Sequence, residues 1–546
     1  MLDLSSSSRN IDRLPNELLE LTLLNLDVVT VVKSRKVAKR FRNLIDNSIE
    51  IQLQIELSVD GLILESRRGW DAFSLVSRFR ATRDALSALV PFQEISLGYP
   101  AFSKFAFEIQ DGYWCRTGDA TGDARFRKLD YLNLDLQGVP QDCDELEHRK
   151  IEPSGFGNFH STFSDLGFNM CDLTFAPGCD LQLLLEAPLD NNPFQRLYFR
   201  TISTNQPHPL ASKPYIELES QGLSETHNFS ILLFEDRFAV IRYRWEGQYR
   251  RGDVSIWNWM QGTQLTALPA ILDAAFLSYD ELLVIVENEN EDPEFGIYSI
   301  PSSTITHILR LPSLRSMLMA EVYSHSNSSS LLEVNQPASP MLRTDPEASV
   351  LAVRFFANIS MFTSFSIVIS IGRVLQTLHT HQTDDKSSSP SILAWDIWGP
   401  KCSRWFLPDE LYPSSIRSTR GSRIAVWGLP NMLKPVISKF RTTEQTSLEA
   451  REANLFVILD FNARSFRGRS DYTKLQRSEV IIMKSPSVWR DSSGTLDIEV
   501  TTELPFCAIV GTPVWTYEDV YVDASALICR EGGTYDILSF LPKGRD

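Results

Sequence analysis

The residues best suited to chemistry are scattered along this chain. His379 and His381 stand two apart, close to Asp384 and Asp385, at the edge of the polar stretch "THQTDDKSSSP" (380–390). Imidazole and carboxylate groups are ordinary zinc ligands, but a polar loop fixes no coordination geometry, so ligation is not expected. Cys171 and Cys179 flank an expected hairpin, where core packing accounts for both thiols. "GFG" at 155–157 lacks the third glycine and the strand–helix setting of a dinucleotide fingerprint. The phosphate-binding loop, the HExxH zinc helix and the GxSxG nucleophile elbow are missing from the sequence. Carboxylates are plentiful, yet sequence alone cannot pair them across a β fold. No catalytic, cofactor-binding or metal residue is assigned. An enzyme with a weakly marked site in the β region stays open as an alternative.

One charge cluster stands out: Lys33, Arg35, Lys36, Lys39, Arg40 and Arg42. It can be read as a nuclear signal or a nucleic-acid helix. The preferred reading is a solvated helix face, because Val37, Phe41 and Leu44 recur on one side. Ser389-Pro390 is a phosphorylation-type dipeptide in a solvated loop. Triplets at Asn228, Asn327 and Asn358 match the glycosylation pattern by chance if the chain is not secreted.

Those residues need elements to hold them. With 546 residues, two to four domains are expected. A hydrophobic share of 43% supports sizeable cores. The net charge of −16 disfavours phosphate backbones as partners, so no nucleic acid is expected. Seven cysteines without a CxxC suggest free thiols in a reducing compartment. No signal-type apolar core or eighteen-residue apolar run is present. The expectation is cytoplasmic and/or nuclear, with no membrane.

Residues 11–90 have helical texture. Asp27 is a cap for a helix over "VVTVVKSRKVAKRFRNLI" (28–45), and Val76, Phe79, Arg83 and Leu86 share a face of another over 72–90. "SIEIQLQIELSVDG" alternates strictly, which argues for a strand. Beyond about residue 95, short apolar runs alternate with turn residues: "LQLLLE" (181–186), "FAVIRYRW" (238–245), "LLVIVE" (282–287), "LFVILDF" (455–461). This is all-β patterning of sandwich, barrel or propeller type. "DLTFAPGCDLQLLLE" (172–186) and "DAAFLSYDELLVIVE" (273–287) look like two copies of one strand–turn–strand unit. "DVSIWNWMQG" (253–262) and "SILAWDIWGP" (391–400) look like aromatic blade strands. Six to eight blades fit the length.

The stretch "LPNELLELTLLNL" (14–26) has two leucine stripes, Leu14/Leu18/Leu21 and Leu19/Leu23/Leu26. A unit of about 40 residues buries too little to be stable alone. One stripe can close a small core while the other meets a partner; alternatively both pack against residues 50–90. A leucine moved to an interface contributes roughly 1.5–3 kcal/mol before association costs.

Leu14-Pro15, Glu17-Leu18-Leu19, Leu23, Leu26, Val31-Val32, Arg35, Val37, Arg40-Phe41-Arg42 and Leu44-Ile45 resemble the F-box of a large family of fungal F-box proteins. "IQLQIEL" (51–57) resembles the stretch that follows in that family, which favours helix there. The departures are Thr22 for isoleucine, Phe41 for tryptophan, valines in the second helix and Leu86 for tryptophan. The resemblance implies a non-catalytic subunit of a Skp–cullin–F-box ubiquitin ligase. Its docking residues on a Skp-type adaptor would be Leu14, Pro15, Leu18, Leu19, Leu23, Leu26, Val32, Val37 and Phe41. A cullin follows through the adaptor, the β domain holds a substrate, and no cofactor is implied. An F-box scaffold outside a ligase is the alternative. The expected class is α+β multidomain: a frayed 1–10, a three-helix F-box over 11–57, a helical linker over 58–95, and an all-β, propeller-like domain over 96–546. Polar insertions are expected near 321–335 and 378–391.

Overall fold

A computed structural model describes residues 14–67, 70–98, 107–110, 112–118, 128–134, 159–163, 165–188, 194–219, 229–246, 249–312, 319–323, 341–356, 364–381, 389–406, 419–427, 430–438, 456–466, 469–489, 499–511, 517, 519–523, 525–531 and 534–542. The 1–10 segment, the "GFG" stretch, Asn228, Asn327 and Asn358, Asp384, Asp385 and most of both polar insertions lie outside these residues.

The helical unit comprises α1 (Asn16–Leu24), α2 (Val28–Ser34), α3 (Lys39–Asn47), α4 (Ile49–Asp60) and α5 (Ala72–Ala88). Side-chain caps start three of them. The carboxylate of Asp27 accepts the Thr30 N–H at 3.0 Å, Ser48 Oγ accepts the Ile51 N–H at 3.2 Å, and Asp71 accepts the Ser74 N–H at 3.0 Å.

The single helix expected over 28–45 is two helices. α2 stops at Ser34, and Ala38 is extended (φ −150°, ψ 153°) before α3 begins. A run of β-branched valines holds a helix weakly. The break lets Val31 and Ile45 enter one core and turns Val37 out to solvent. The alternating segment 49–60 is helical for a related reason. Ile51 and Ile55 pack into the core with Leu23, Val31 and Ile45, whereas Ile49, Leu53 and Leu57 pack against Leu75, Val76 and Phe79. Each set repeats every four residues, so a helix clasped between two cores imitates a strand's period.

The linker is less helical than expected. Gly61 ends α4 at φ 66°, a left-handed position that suits glycine. Then β1 (Leu62–Ser66) pairs antiparallel with Met341–Thr344. After α5, β2 (Gln93–Gly98) already belongs to the β domain.

That domain is a seven-bladed β-propeller. Among the described residues, seven sheets of four or more strands follow one another along the chain. Their first strands are Phe107–Gln110, Met170–Ala176, Phe229–Phe234, Asp273–Phe276, Met319–Tyr323, Thr419–Arg420 and Asp519–Val522, for blades 1 to 7. Blade 7 takes its fourth strand from β2, which pairs with Thr534–Ser539 near the other end of the chain. Each blade junction has its own apolar cluster. The 7–1 junction is closed by Trp114, Leu132, Tyr521, Ile528 and Ile537, and the 6–7 junction also takes in Ala85 and Leu86 of α5 and Leu89 just after it.

The two fifteen-residue copies are the inner hairpins of blades 2 and 4. Asp172 faces Leu185 beside a register shift, and Asp273 faces Ile285, so the two hairpins pair one residue out of step. "SILAWDIWGP" departs from expectation. Only Ser391–Leu393 is a strand, added in parallel to blade 4, and Trp395–Cys402 is helical. Trp395 and Trp398, three apart, turn one helix face inward. They join Trp405, Trp489 and Phe365, with neighbouring ring centroids 5.1–5.5 Å apart.

Candidate functional site

Helix α1 separates its two leucine stripes by burial. Leu19 and Leu23 are each 2% exposed; Leu23 packs with Val31, Ile45 and Ile51, and Leu24, Leu26, Phe41, Leu44 and Ile55 close around them. Leu14, Leu18 and Leu21 are 38%, 49% and 57% exposed on the other side. The residues expected to dock on an adaptor differ in exposure. Leu19 and Leu23 serve the unit's own core and offer no surface. Leu26, Val32 and Phe41 are half-buried, and Pro15 and Val37 are exposed. Leu21, missing from that set, is the most exposed leucine of the stripe. Its spacing from Leu14 and Leu18 was the available signal.

Polar contacts fix this surface. Arg40 donates to Asn16 Oδ1 at 2.8 Å and to the Leu14 carbonyl, so α3 is joined to the start of α1. Gln54 of α4 donates to the Leu24 and Leu26 carbonyls at 3.3 and 3.2 Å, which satisfies the C-terminal end of α1. Ser48 donates to Glu20.

At its far end the unit is built into the propeller. Arg83 of α5 donates to Glu56 and Asp60 of α4, each at 2.8 Å. Asp60 lies 3.6 Å from Arg423 of blade 6, and Arg423 lies 3.5 Å from Asp460. Alternating charges thus run from α5 to the blade, and the two carboxylates hold the Arg83 guanidinium firmly protonated despite its burial. Asn462 donates to the Ser58 and Val59 carbonyls at 3.0 and 2.9 Å, capping α4 from the propeller side. Arg464 donates to Ser58 Oγ at 2.8 Å, and Ser478 donates to the Ser87 carbonyl. The Asp345 N–H reaches the Gly61 carbonyl at 2.8 Å.

Asp345 and Arg423 lie in or beside the connections between the first and second strands of blades 5 and 6, and Asn462 follows the third strand of blade 6 at the same end. The helical unit therefore occupies one face of the ring. Connections between second and third strands, and from blade to blade, lie on the opposite face. Exposed Phe194 and Trp245 and the turn Asn288–Asp292 belong to that side. No sequence motif marks the seam, because its partners are some 400 residues apart.

Inside the ring, Asp273 accepts from Tyr243 Oη at 2.7 Å and from the Val322 N–H at 2.8 Å, with Arg250 3.6 Å away. Burial pushes its carboxyl up to about 6 against those partners. At the matching position, the Asp172 carboxylate accepts its neighbour's N–H, from Leu173 at 2.9 Å. The residue is half-buried, and desolvation pushes its carboxyl up to about 7. His379 lies in the last turn of the helix Ile371–Thr380 and is exposed, with His381 just beyond the helix. Cys179 is buried and Cys171 half-buried at the ends of the blade 2 hairpin.

Residues 11–52 match the family model of the F-box domain. No curated protein matches the chain. Among solved structures, the chain is similar to the WD40 domain of SCAP from fission yeast, at 7% identity over 82% of this chain and 94% of that one, with a TM-score of 0.29. It is also similar to the WD40 domain from Toxoplasma gondii coronin, at 9% identity over 83% and 88%, with a TM-score of 0.34.

Proposed function

We propose that this chain is the substrate-receptor subunit of a Skp–cullin–F-box ubiquitin ligase, working in the cytosol or nucleus. F-box domains generally bind Skp-type adaptors, and an F-box joined to a β-propeller is an architecture typical of non-catalytic adaptor proteins. The observation that carries the reading is the exposed Leu14/Leu18/Leu21 stripe on a helix whose other stripe already closes a core. Pro15, Val37 and the accessible parts of Leu26, Val32 and Phe41 complete the docking surface. The propeller holds the substrate on the face opposite the helical unit. Because the seam couples both parts, the chain acts by proximity, presenting bound substrate at a constant orientation to the ubiquitin-loaded enzyme.

The test is co-purification with a Skp-type adaptor. Replacing Leu14, Leu18 and Leu21 together with alanine should abolish the complex and leave the thermal midpoint nearly unchanged. Full binding by the triple variant sinks the docking model. Adaptor binding without cullin recruitment would reassign the chain to a scaffold outside a ligase.

A further inference from the structure

Two Ser-Pro dipeptides lie among the described residues, Ser389-Pro390 and Ser485-Pro486, and all four side chains are exposed. The fold holds the two differently. Arg404, fully buried, donates to the Ser485 carbonyl at 3.1 Å and to Ser487 Oγ at 2.7 Å. Ser487–Trp489 then pairs with Val500–Thr502, and Trp489 enters the aromatic cluster of blade 5. Ser485 is therefore pinned. Ser389-Pro390 instead opens the strand Ser391–Leu393, which leaves the connection between the third and fourth strands of blade 5 and adds in parallel to the outer strand Thr304–Leu309 of blade 4. The pairing is short: Ser391 lies opposite His307, Ile392 opposite Ile308 and Leu393 opposite Leu309. Ile392 is 52% exposed, so Leu393, at 4%, is the apolar anchor of this strand. Beyond it the chain is fixed again. The Arg310 N–H reaches the Leu393 carbonyl at 2.9 Å, Trp398 Nε1–H reaches the Arg310 carbonyl at 3.0 Å, and both Trp395 and Trp398 are buried. Residues 389–392 thus form a short flap on an outer blade edge, hinged at Leu393.

We propose that Ser389 is a phosphorylation site for a proline-directed serine/threonine kinase, admitted by peeling of this flap, and that the fold shields Ser485 from the same enzyme. Such a kinase takes its serine in an extended segment, and Pro390 biases Ser389 towards extended backbone. Pro390 also suits the sheet, because it lacks an N–H and sits before the first paired residue. The acceptor hydroxyl stands two residues, about 7 Å of strand, ahead of the first pair with blade 4, too close for a kinase cleft to close around the docked strand. Freeing three residues with one buried apolar side chain is a small local opening of an edge element. Freeing Ser485 would instead strip partners from a buried guanidinium and leave its donors unsatisfied. In the transfer, Ser389 Oγ attacks the γ-phosphorus of ATP, its proton passes to a carboxylate of the kinase, the bond from that phosphorus to the β,γ-bridging oxygen breaks, and ADP leaves. The product carries a phosphate of nearly two negative charges at the start of the flap. Adaptor docking plays no part in this step.

The experiment incubates the folded full chain with ATP and a purified proline-directed kinase and follows each site by mass spectrometry. Ser389 should fill towards one phosphate per chain, at an initial rate at least about tenfold above that of Ser485, because the two sites differ in the opening each needs. Ser389→Ala should remove that phosphate, and Pro390→Ala should abolish it although the hydroxyl remains. Leu393→Ala unpins the flap and should raise the Ser389 rate at least about threefold, while Ile392→Ala, on an exposed side chain, should leave it within about twofold. In the wild type, hydrogen exchange over 391–393 should be faster than over 395–402, which reads the same opening without a substitution. No phosphate on Ser389 of the wild type overturns the site. Equal rates at Ser389 and Ser485 overturn selection by the fold. An unchanged rate in Leu393→Ala, with exchange over 391–393 as slow as over 395–402, overturns the peeling step.

Discussion

Asp172 and Asp273 show what a residue's neighbours add to its place in a repeat. Each sits on the innermost strand of its blade, and each accepts the N–H of the following residue, at 2.9 and 2.8 Å. Asp273 also has Tyr243, Arg250 and the Val322 N–H, which tie blades 3, 4 and 5 together. Asp172, pushed up to about 7 by burial, is relieved chiefly by its one backbone donor. A carboxyl raised in the folded state keeps its proton after the unfolded chain has lost one. Between about pH 4 and pH 7 the folded state therefore binds more protons, and its stability falls as pH rises. Asp172→Asn should raise the thermal midpoint relative to wild type at pH 8, and that gain should vanish at pH 4. Equal midpoints at pH 8 would mean the carboxylate finds a partner. The leucines make the same point for packing. Leu23→Ala should cost about 2–5 kcal/mol as a core cavity, whereas Leu21→Ala should cost under about 1 kcal/mol. Urea unfolding of the two variants separates them.

At the scale of elements, α4 joins the two parts of the molecule. One side of it completes the F-box core, the other packs on α5, and its C-terminal carbonyls are capped from blade 6. A helix end buried without such donors would leave carbonyls unsatisfied, which costs about 1–3 kcal/mol per group. Asn462→Ala should remove both bonds and loosen the seam without opening the ring. Hydrogen exchange over residues 55–66 should accelerate, while exchange over 181–186 stays unchanged. Uniform acceleration would show that the seam supports the whole fold and is no separate joint. Gly61 has a related constraint: an added Cβ would stand 2.9 Å from the Ala348 Cβ at a positive φ. The turn from α4 into β1 thus depends on that glycine, and β1 is where the linker first joins the propeller.

At the scale of the molecule, the ring closes with a strand from the N-terminal side. β2 follows the helical unit directly and completes blade 7 beside Thr534–Ser539. The propeller therefore needs a strand that lies between the helical unit and blade 1, and cutting there matters by position. Removing residues 1–47 takes away α1 to α3 and should abolish adaptor binding with the propeller's melting transition retained. Removing residues 1–98 also removes the closing strand and bares the edge of Thr534–Ser539, an invitation to aggregation. That shorter chain should melt lower and elute as aggregate in size-exclusion chromatography. A monomer with wild-type melting would show that the ring does not need the closure.

What the sequence determined by itself was local. Runs such as 181–186, 238–245 and 282–287 carry enough β-branched and apolar residues, between turn residues, to be strands wherever they pack. Asp27 marks a helix beginning because a side-chain cap acts within one turn. The copied hairpins at 172–186 and 273–287 were legible because a blade's inner hairpin is one contiguous stretch. Tertiary structure decided the rest. Period alone could not say which leucine stripe of α1 turns inward, because both stripes are equally apolar; the positions of Val31, Ile45 and Ile51 settle it. It read 49–60 as a strand because two cores on opposite sides of one helix produce the same alternation. It joined 28–45 into one helix because nothing local shows that Val37 gains by leaving the core. The closure of β2 on a strand 440 residues away, and the Asp60–Arg423 seam, have no local signature at all. Such contacts depend on how seven sheets stack in a ring, and that is a property of the assembled chain.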